Sequence, residues 1–294
     1  LQSIVMANLK EIRNRITSVG STMQITSAMK MVSAAKLKRA QDAVTRLRPY
    51  AGKLREILGN LSASLDLADN VYAKSGEVQN VLLVAVTSNR GLCGGFNNNV
   101  IKKVNLLIAE DYKDCNVKVL CLGKKVKDVM KRTPHYFIND ELASVEDIFS
   151  DLTFERTTAI AEALTTMFLD KEFDKIVLVY NQFVNAATQS VENEQFLPIL
   201  SSNEGTTESG NDYIFEPAKE DLVIALIPKS LKIQLFKALL DSNASEHGAR
   251  MTAMHKATDN AEELRKNLKL SYNKARQAAI TRELSEIVAG AAAV

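Results

Sequence analysis

Heptad spacing at both ends of the chain constrains its fold more than any other feature. Leu9, Ile12, Ile16, Val19 and Met23 alternate three- and four-residue steps, as do Leu37, Ala40, Val44, Leu47, Ala51, Leu54, Leu58 and Leu61. Both runs share one register, with Thr26, Lys30 and Ser33 at the intervening seam positions and apolar residues one place earlier at Ile25, Met29 and Val32. About seven and a half heptads is a coiled-coil pattern, and at 1.5 Å per residue it spans roughly 80 Å. Pro49 falls inside this run, and a bend is expected there because its ring removes a hydrogen bond and crowds the preceding turn.

The other end repeats the device. Met254, Ala257, Ala261, Leu264 and Leu268 keep the spacing, and Tyr272, Ala275 and Ala279 resume it after an expected stutter. The helix is expected to begin just after Pro217, with Glu220 and Asp221 suiting its dipole, and to bend or break at Pro228. Two such helices separated by a domain pair most simply with each other, antiparallel.

Between them the pattern changes to buried strands alternating with helices. Residues 80–87 (NVLLVAVT), 117–122 and 175–180 (KIVLVY) read as strands. Helices are expected at 97–111, 124–131 and 157–169, which implies a small parallel sheet with covering helices. The fold class is therefore α/β plus a long antiparallel coiled coil. Its expected divisions are 6–62 (first coiled-coil helix), 76–200 (Rossmann-like domain), 201–217 (linker and a short aromatic loop) and 218–294 (second coiled-coil helix).

Charge follows the same divisions. Residues 1–62 carry 11 Lys/Arg against 3 Asp/Glu, residues 63–217 carry 14 against 23, and residues 218–294 carry 12 against 9. The net charge of +2 averages a basic rod, an acidic middle and a mildly basic tail. The basic rod admits an acidic protein partner, a solvated face or a nucleic acid. It contains one aromatic, Tyr50, and no recognition motif, so a nucleic acid is not the expected partner. No apolar run reaches the roughly 18 residues that a membrane-spanning helix needs, so direct insertion is not expected. Residues 1–5 precede Met6 and are too few for a signal peptide, so export is not expected.

No residue set fits a catalytic centre. Arg90-Gly91-Leu92-Cys93-Gly94-Gly95 joins a strand to a helix, where a doubly wound fold would cradle phosphate. Its spacing matches neither dinucleotide nor P-loop patterns, and no Lys-Ser/Thr pair follows. The turn is read as tight packing, and no cofactor is expected. Cys93 has no His nearby in sequence, and the paired acids Asp140/Glu141, Glu146/Asp147 and Glu262/Glu263 sit in polar surroundings. Cys93, Cys115 and Cys121 form no CxxC and are read as reduced thiols; with three scattered histidines, no metal site is expected.

Four motifs carry a family resemblance. The first runs from Leu9-Lys10-Glu11-Ile12-Arg13 to Ile25-Thr26-Ser27-Ala28-Met29-Lys30, and the second is the Arg90–Gly95 turn. The third is Arg250-Met251-Thr252-Ala253-Met254 with Ala257-Thr258-Asp259-Asn260, and the fourth Tyr272-Asn273-Lys274-Ala275-Arg276-Gln277 with Ile280-Thr281. Together they resemble the γ subunits of F-type ATP synthases over the chain from Met6 onward.

The resemblance implies a non-catalytic rotor shaft. Its helix pair would lie inside a ring of three α and three β subunits, with its α/β domain against the ε subunit and the membrane c ring. Ion flow would turn the shaft and cycle the catalytic β subunits. Carried over by motif, Met29 and Lys30 would face the β-subunit lever region, with Arg276, Gln277 and Thr281 near it on the other helix. Tyr213, Phe215 and Glu216 resemble the foot on the c ring. A bacterial plasma membrane, with the shaft peripheral on its cytoplasmic face, is the expected location, and the mitochondrial inner membrane the alternative.

Overall fold

A computed structural model describes residues 2–63, 71–72, 77–139, 142, 145–199 and 219–292, except the side chains of 2–8, 55–56, 58–63 and 219–224. The chain divides into two compact units, Leu1–Ser33 with Met251–Val294, and Ala34–Arg250. Helix α1 covers Gln2–Ala63 and helix α5 covers Lys219–Ala291, so each contributes to both units. Neither Pro49 nor Pro228 ends its helix. In helices this long the single hydrogen bond each proline removes is a small loss, and Pro49 lies on an exposed face where the freed carbonyl meets water.

The first unit is an antiparallel helix pair. Its direction follows from two cross-helix contacts, Thr26 with Thr258 and Lys30 with His255, in which one helix ascends in number as the other descends. On α1 Leu9, Ile12, Ile16, Val19, Met23, Thr26, Lys30 and Ser33 are all covered in an unbroken alternation of three- and four-residue steps, with Gly20, Ser27 and Met29 partly covered beside them. The polar residues thus stay in the seam, with Thr26 at 9% and Ser33 at 3% exposure, while Ile25 at 59% and Val32 at 57% point outward.

α5 obeys the same rule. Met254, Thr258, Ala261, Arg265, Leu268, Tyr272, Ala275 and Ala279 are covered in continuous heptad steps, and Leu264 is half exposed. The expected stutter is absent. Ala257 and Thr258 are both partly covered, but Arg265 holds the register where the sequence offered Leu264, because a straight seam keeps every knob opposite a hole, whereas a shift by one residue unwinds the pair locally.

The second unit is a three-layer α/β domain. Strands β1 (Asn80–Val86), β2 (Asn116–Leu122), β3 (Lys175–Phe183) and β4 (Gln189–Leu197) form one sheet in the order β2-β1-β3-β4. β1 pairs in parallel with β2 and β3, and β4 pairs antiparallel with β3. β4 was not expected from the sequence. Its segment, QSVENEQFL, lacks the apolar run of the other strands because, among the described residues, it lies at the sheet edge with β3 on one side only.

Alternation along β1 divides the core. Leu82, Val84 and Val86 pack with Ile160, Leu164, Leu231 and Leu235 on one face. Those partners come from α4 (Phe154–Leu169) and α5. Val81, Leu83 and Ala85 pack on the other face with Val100, Val104, Val126 and Met130 of α2 (Phe96–Leu106) and α3 (Lys124–Met130). A strand covered on both sides must be apolar at every position, which is why β1 reads as a continuous run. The helix expected over 97–111 changes character in its last part, where Leu107–Asp111 widens into a π-turn.

Local chemistry sets several boundaries. The Thr153 side chain caps α4 by accepting from Arg156 N at 3.4 Å. Asp174 Oδ2 accepts from the backbone N–H groups of Gln79 at 3.0 Å and Asn80 at 2.7 Å, tying the start of β3 to that of β1. Gly123, between β2 and α3, has φ +117°, and a Cβ there would lie 2.1 Å from the Thr87 carbonyl oxygen. Only glycine fits that crossing.

Candidate interaction surfaces and the β1–α2 turn

The expected coupling residues fall into three groups. Met29 is half-buried, and Lys30 places Nζ 3.3 Å from His255 Nδ1 in the helix pair. Met29 lies on a second apolar stripe with Ile25 and Val32, one residue aside from the seam, and of the three Ile25 and Val32 are exposed. Arg276, Gln277 and Thr281 are exposed on α5, apart from the first group. Lys30 faces His255, and Arg276 lies 276 − 255 = 21 residues further along α5, roughly 30 Å at 1.5 Å per residue. The two groups therefore lie at different levels of the helix pair, so any shared approach to a β subunit would be to different parts of its surface. Tyr213, Phe215 and Glu216 lie outside the described residues.

Beyond the paired region, Ile280, Leu284, Ile287 and Val288 are exposed on α5 at spacings of four, three and one, a single apolar face near the end of the helix. Exposed apolar faces of this kind are uncommon on a surface that meets only water. Among the described residues no helix is long and apolar enough to cross a membrane, and no cluster of His, Cys, Asp and Glu could hold a metal.

The Arg90–Gly95 turn has the location of a phosphate cradle but not its chemistry. Leu92 and Gly94 adopt positive φ, +63° and +59°, which folds the turn back on itself. Its interior is filled by Asn97, whose Oδ1 accepts from Ser88 N at 2.9 Å and whose Nδ2 donates to Ser88 Oγ at 2.9 Å and Cys93 Sγ at 3.1 Å. Asn97 Oδ1 thus takes a backbone amide at the strand–helix junction that a phosphate oxygen would use in a nucleotide-binding fold.

Cys93 is buried within this network, and burial pushes its thiol above the ordinary range despite Ser88 and Arg250 nearby. Burial pushes Cys121 up to about 12. A thiol held protonated is a poor nucleophile, in keeping with the packing role read from the sequence.

The turn receives a second filling from α5. Arg250 Nη1 donates to Glu246 Oε1 at 2.6 Å, and Nη2 points to the carbonyl oxygens of Arg90 at 3.2 Å and Gly91 at 3.4 Å. Both side chains are about nine-tenths buried. Burial raises the Glu246 carboxyl above its ordinary value, and Arg250 opposes that rise. One turn earlier, Ser245 Oγ donates to Asn181 O at 3.1 Å, and Asn181 Nδ2 donates to Phe96 O at 3.1 Å. Sequence reasoning missed Glu246 and Ser245. Their spacing to Arg250 and the small residues around them fit any helix, and only the fold shows what they face.

Known proteins share this organisation over the whole chain. The ATP synthase family profile matches residues 8–294. The ATP synthase gamma chain of Flavobacterium johnsoniae is 61% identical over 98% of this chain and 99% of its own length. That of Chlorobium phaeobacteroides is 47% identical with the same coverage. A chain from the central stalk and c ring of the Tetrahymena thermophila mitochondrial ATP synthase superposes with a TM-score of 0.57 at 25% identity, covering 79% of this chain and 99% of that one. A chain from the Euglena gracilis mitochondrial enzyme has the same fold, with a TM-score of 0.67 at 22% identity over 98% of this chain and 94% of that one. A heptad helix pair flanking an α/β domain, a phosphate-type turn sealed by its own side chains, and full-length identity to gamma chains place this protein in the ATP synthase gamma-chain family.

Proposed function

We propose that the chain is the central rotor shaft of an F-type ATP synthase, coupling ion flow through a membrane c ring to the conformational cycle of catalytic β subunits. The observation that carries this reading is the near-complete alignment with gamma chains at up to 61% identity. The chain supplies coupling rather than catalysis. In this role the stripe of half-buried Met29 with exposed Ile25 and Val32, and the apolar face of Ile280, Leu284, Ile287 and Val288, are the surfaces on which α and β subunits, three of each, close around the helix pair. Apolar faces suit a turning shaft, because they make few directional bonds that rotation must break. Arg276, Gln277 and Thr281 form a separate polar contact further along α5.

The α/β domain would meet the ε subunit, and Tyr213, Phe215 and Glu216 would form the foot on the c ring. Truncating aromatic interface anchors commonly costs about 2 kcal/mol or more. The similar chains from bacteria support a position at the cytoplasmic face of a plasma membrane. Co-expression with α and β subunits followed by size-exclusion chromatography tests the reading. A complex containing the chain, with MgATP hydrolysis that the chain alone lacks, is expected; a chain that elutes apart from assembled α and β subunits overturns it.

A further inference from the structure

The parallel strands of this sheet diverge at one place. From β1 the chain crosses to β2 on one side, while β3 lies on the other. In doubly wound sheets the loops after such strands part to leave a crevice at their carboxyl ends, and that crevice is where ligands bind. Here the crevice lies between the turn after β1, with Ser88, Arg90 and Gly91, and the end of β3, with Asn181. It is occupied by α5. Ser245 bonds to Asn181 O, and Arg250, held by Glu246, bonds to the carbonyls of Arg90 and Gly91.

We infer that Glu246 and Arg250 are positioning residues that lock the sheet to α5, and that this lock passes torque between them. The inference rests on the rotor reading above. Arg250 is the last residue of the second unit, and α5 continues without interruption from Met251 into the first. Apolar packing elsewhere along α5, through Leu231, Leu235 and Leu239, resists separation but is non-directional and permits small slides. A guanidinium fork fixed on three oxygens is directional, and a buried charged pair cannot shift without leaving a charge unpaired. The lock therefore resists the sliding and twisting that torque imposes on this interface.

The Arg90–Gly95 turn gains a purpose from the same geometry. Its tight backbone presents carbonyls toward the crevice, whereas a phosphate cradle presents N–H groups. A carbonyl pair selects a cation, and the chain supplies its own.

The test uses Glu246→Gln/Arg250→Met, which replaces the pair with neutral side chains of similar length and avoids stranding one buried charge, together with Arg250→Lys, which keeps the charge but not the fork. Hydrogen exchange reads the lock. In the double variant the amides of residues 91–95 should exchange at least tenfold faster, while those of 81–85 in β1 remain as in wild type. Assembled with its partner subunits in membrane vesicles, the double variant should hydrolyse ATP at the wild-type rate and pump at least threefold fewer ions per ATP. Arg250→Lys should fall between them.

A purely structural role predicts a lower thermal midpoint with unchanged ions per ATP, and that result overturns the inference, as does unchanged exchange at residues 91–95. Failure of the double variant to fold, seen by circular dichroism, would also overturn it, because the pair would then be a requirement of the core. Absence of assembly by the wild-type chain would instead sink the rotor reading while leaving the exchange result to judge the lock.

Discussion

Thr258 donates a hydrogen bond to Thr26 across the helix pair, Oγ1 to Oγ1 at 2.9 Å, at seam positions where both helices have an apolar or small neighbour one residue away. Each hydroxyl also has a carbonyl of its own helix within reach, Met254 O at 2.8 Å for Thr258 and Met23 O at 3.1 Å for Thr26. Neither group is therefore stranded if the other is removed. Ser33 uses the same option toward Met29 O at 2.8 Å. Short hydroxyl residues can sit in a seam because the helix satisfies them locally.

This gives a double-mutant prediction. Thr26→Val and Thr258→Val should each cost about 1 kcal/mol or less, because the remaining hydroxyl keeps an acceptor. The combined variant should lie closer to wild type than the sum of the singles, since two apolar side chains of the same shape then meet. Urea unfolding of all four proteins measures the coupling. Strict additivity would show that the cross-helix bond contributes nothing.

Two glycines should respond in opposite directions. Gly123→Ala forces a methyl group against the Thr87 carbonyl at a positive φ, and should cost about 3 kcal/mol or more or prevent folding. Gly52 lies exposed within α1, and a methyl group added there would meet nothing within 4 Å, so Gly52→Ala should gain about 0.5–1 kcal/mol. Thermal unfolding followed by circular dichroism checks both, and a tolerated Gly123→Ala would contradict the close crossing of strand and loop.

Stability should depend on pH through His247. Burial, reinforced by Arg250 and Lys36, lowers its imidazole from 6.5 to about 4, and its Nδ1 has no hydrogen-bond partner among the described residues. The unfolded chain accepts a proton that the folded chain resists. The contribution is thus fully present above about pH 6.5 and falls away toward pH 4, with a ceiling of about 3 kcal/mol. Asp241 and Glu246, raised by burial, act with the opposite sign. Comparison with His247→Gln cancels them. Between pH 7 and 4.5 the variant should lose at least about 1 kcal/mol less than wild type in urea unfolding, and parallel losses would exclude His247 as the source.

Met29→Lys tests the proposed contact between the second stripe and the β subunits. A lysine there sets a second cation beside Lys30 and offers β-subunit carboxylates a new partner. Shielded from water, such a pair gains more than a surface pair and holds one rotational state too tightly. Assembly should persist while ions pumped per ATP fall. Unchanged coupling in vesicles would remove Met29 from that contact.

The sealed turn predicts that the isolated chain retains no MgATP. Asn97 takes the Ser88 amide, Arg250 is engaged by Glu246 and two carbonyls, and no Lys-Ser/Thr pair follows the glycines. Equilibrium dialysis at millimolar nucleotide should show no retention, and saturable micromolar binding would refute the closure of the crevice.

Residue pattern alone settles the large divisions of this protein. A seam needs apolar residues at fixed steps over many turns, so Leu9 to Met23 and Leu37 to Leu54 announce a long paired helix whatever surrounds them. A strand buried on both faces must be apolar throughout, so residues 81–86 and 176–179 are legible as the centre of a sheet. Residue types also set the Arg90–Gly95 turn apart from the P-loop pattern, in which a following Lys-Ser/Thr pair meets the phosphates and their magnesium.

Packing in three dimensions resolves what pattern leaves degenerate. Ile25 and Thr26, or Leu264 and Arg265, are adjacent, and local hydrophobicity favours the wrong member of each pair. The register is a property of two helices together, and a continuous seam outweighs burying one more aliphatic group. β4 was illegible because an edge strand needs few apolar residues. The pairing of Arg250 with the carbonyls of Arg90 and Gly91 spans about 160 residues, and no local signal encodes a contact that only the folding of α5 against the sheet creates.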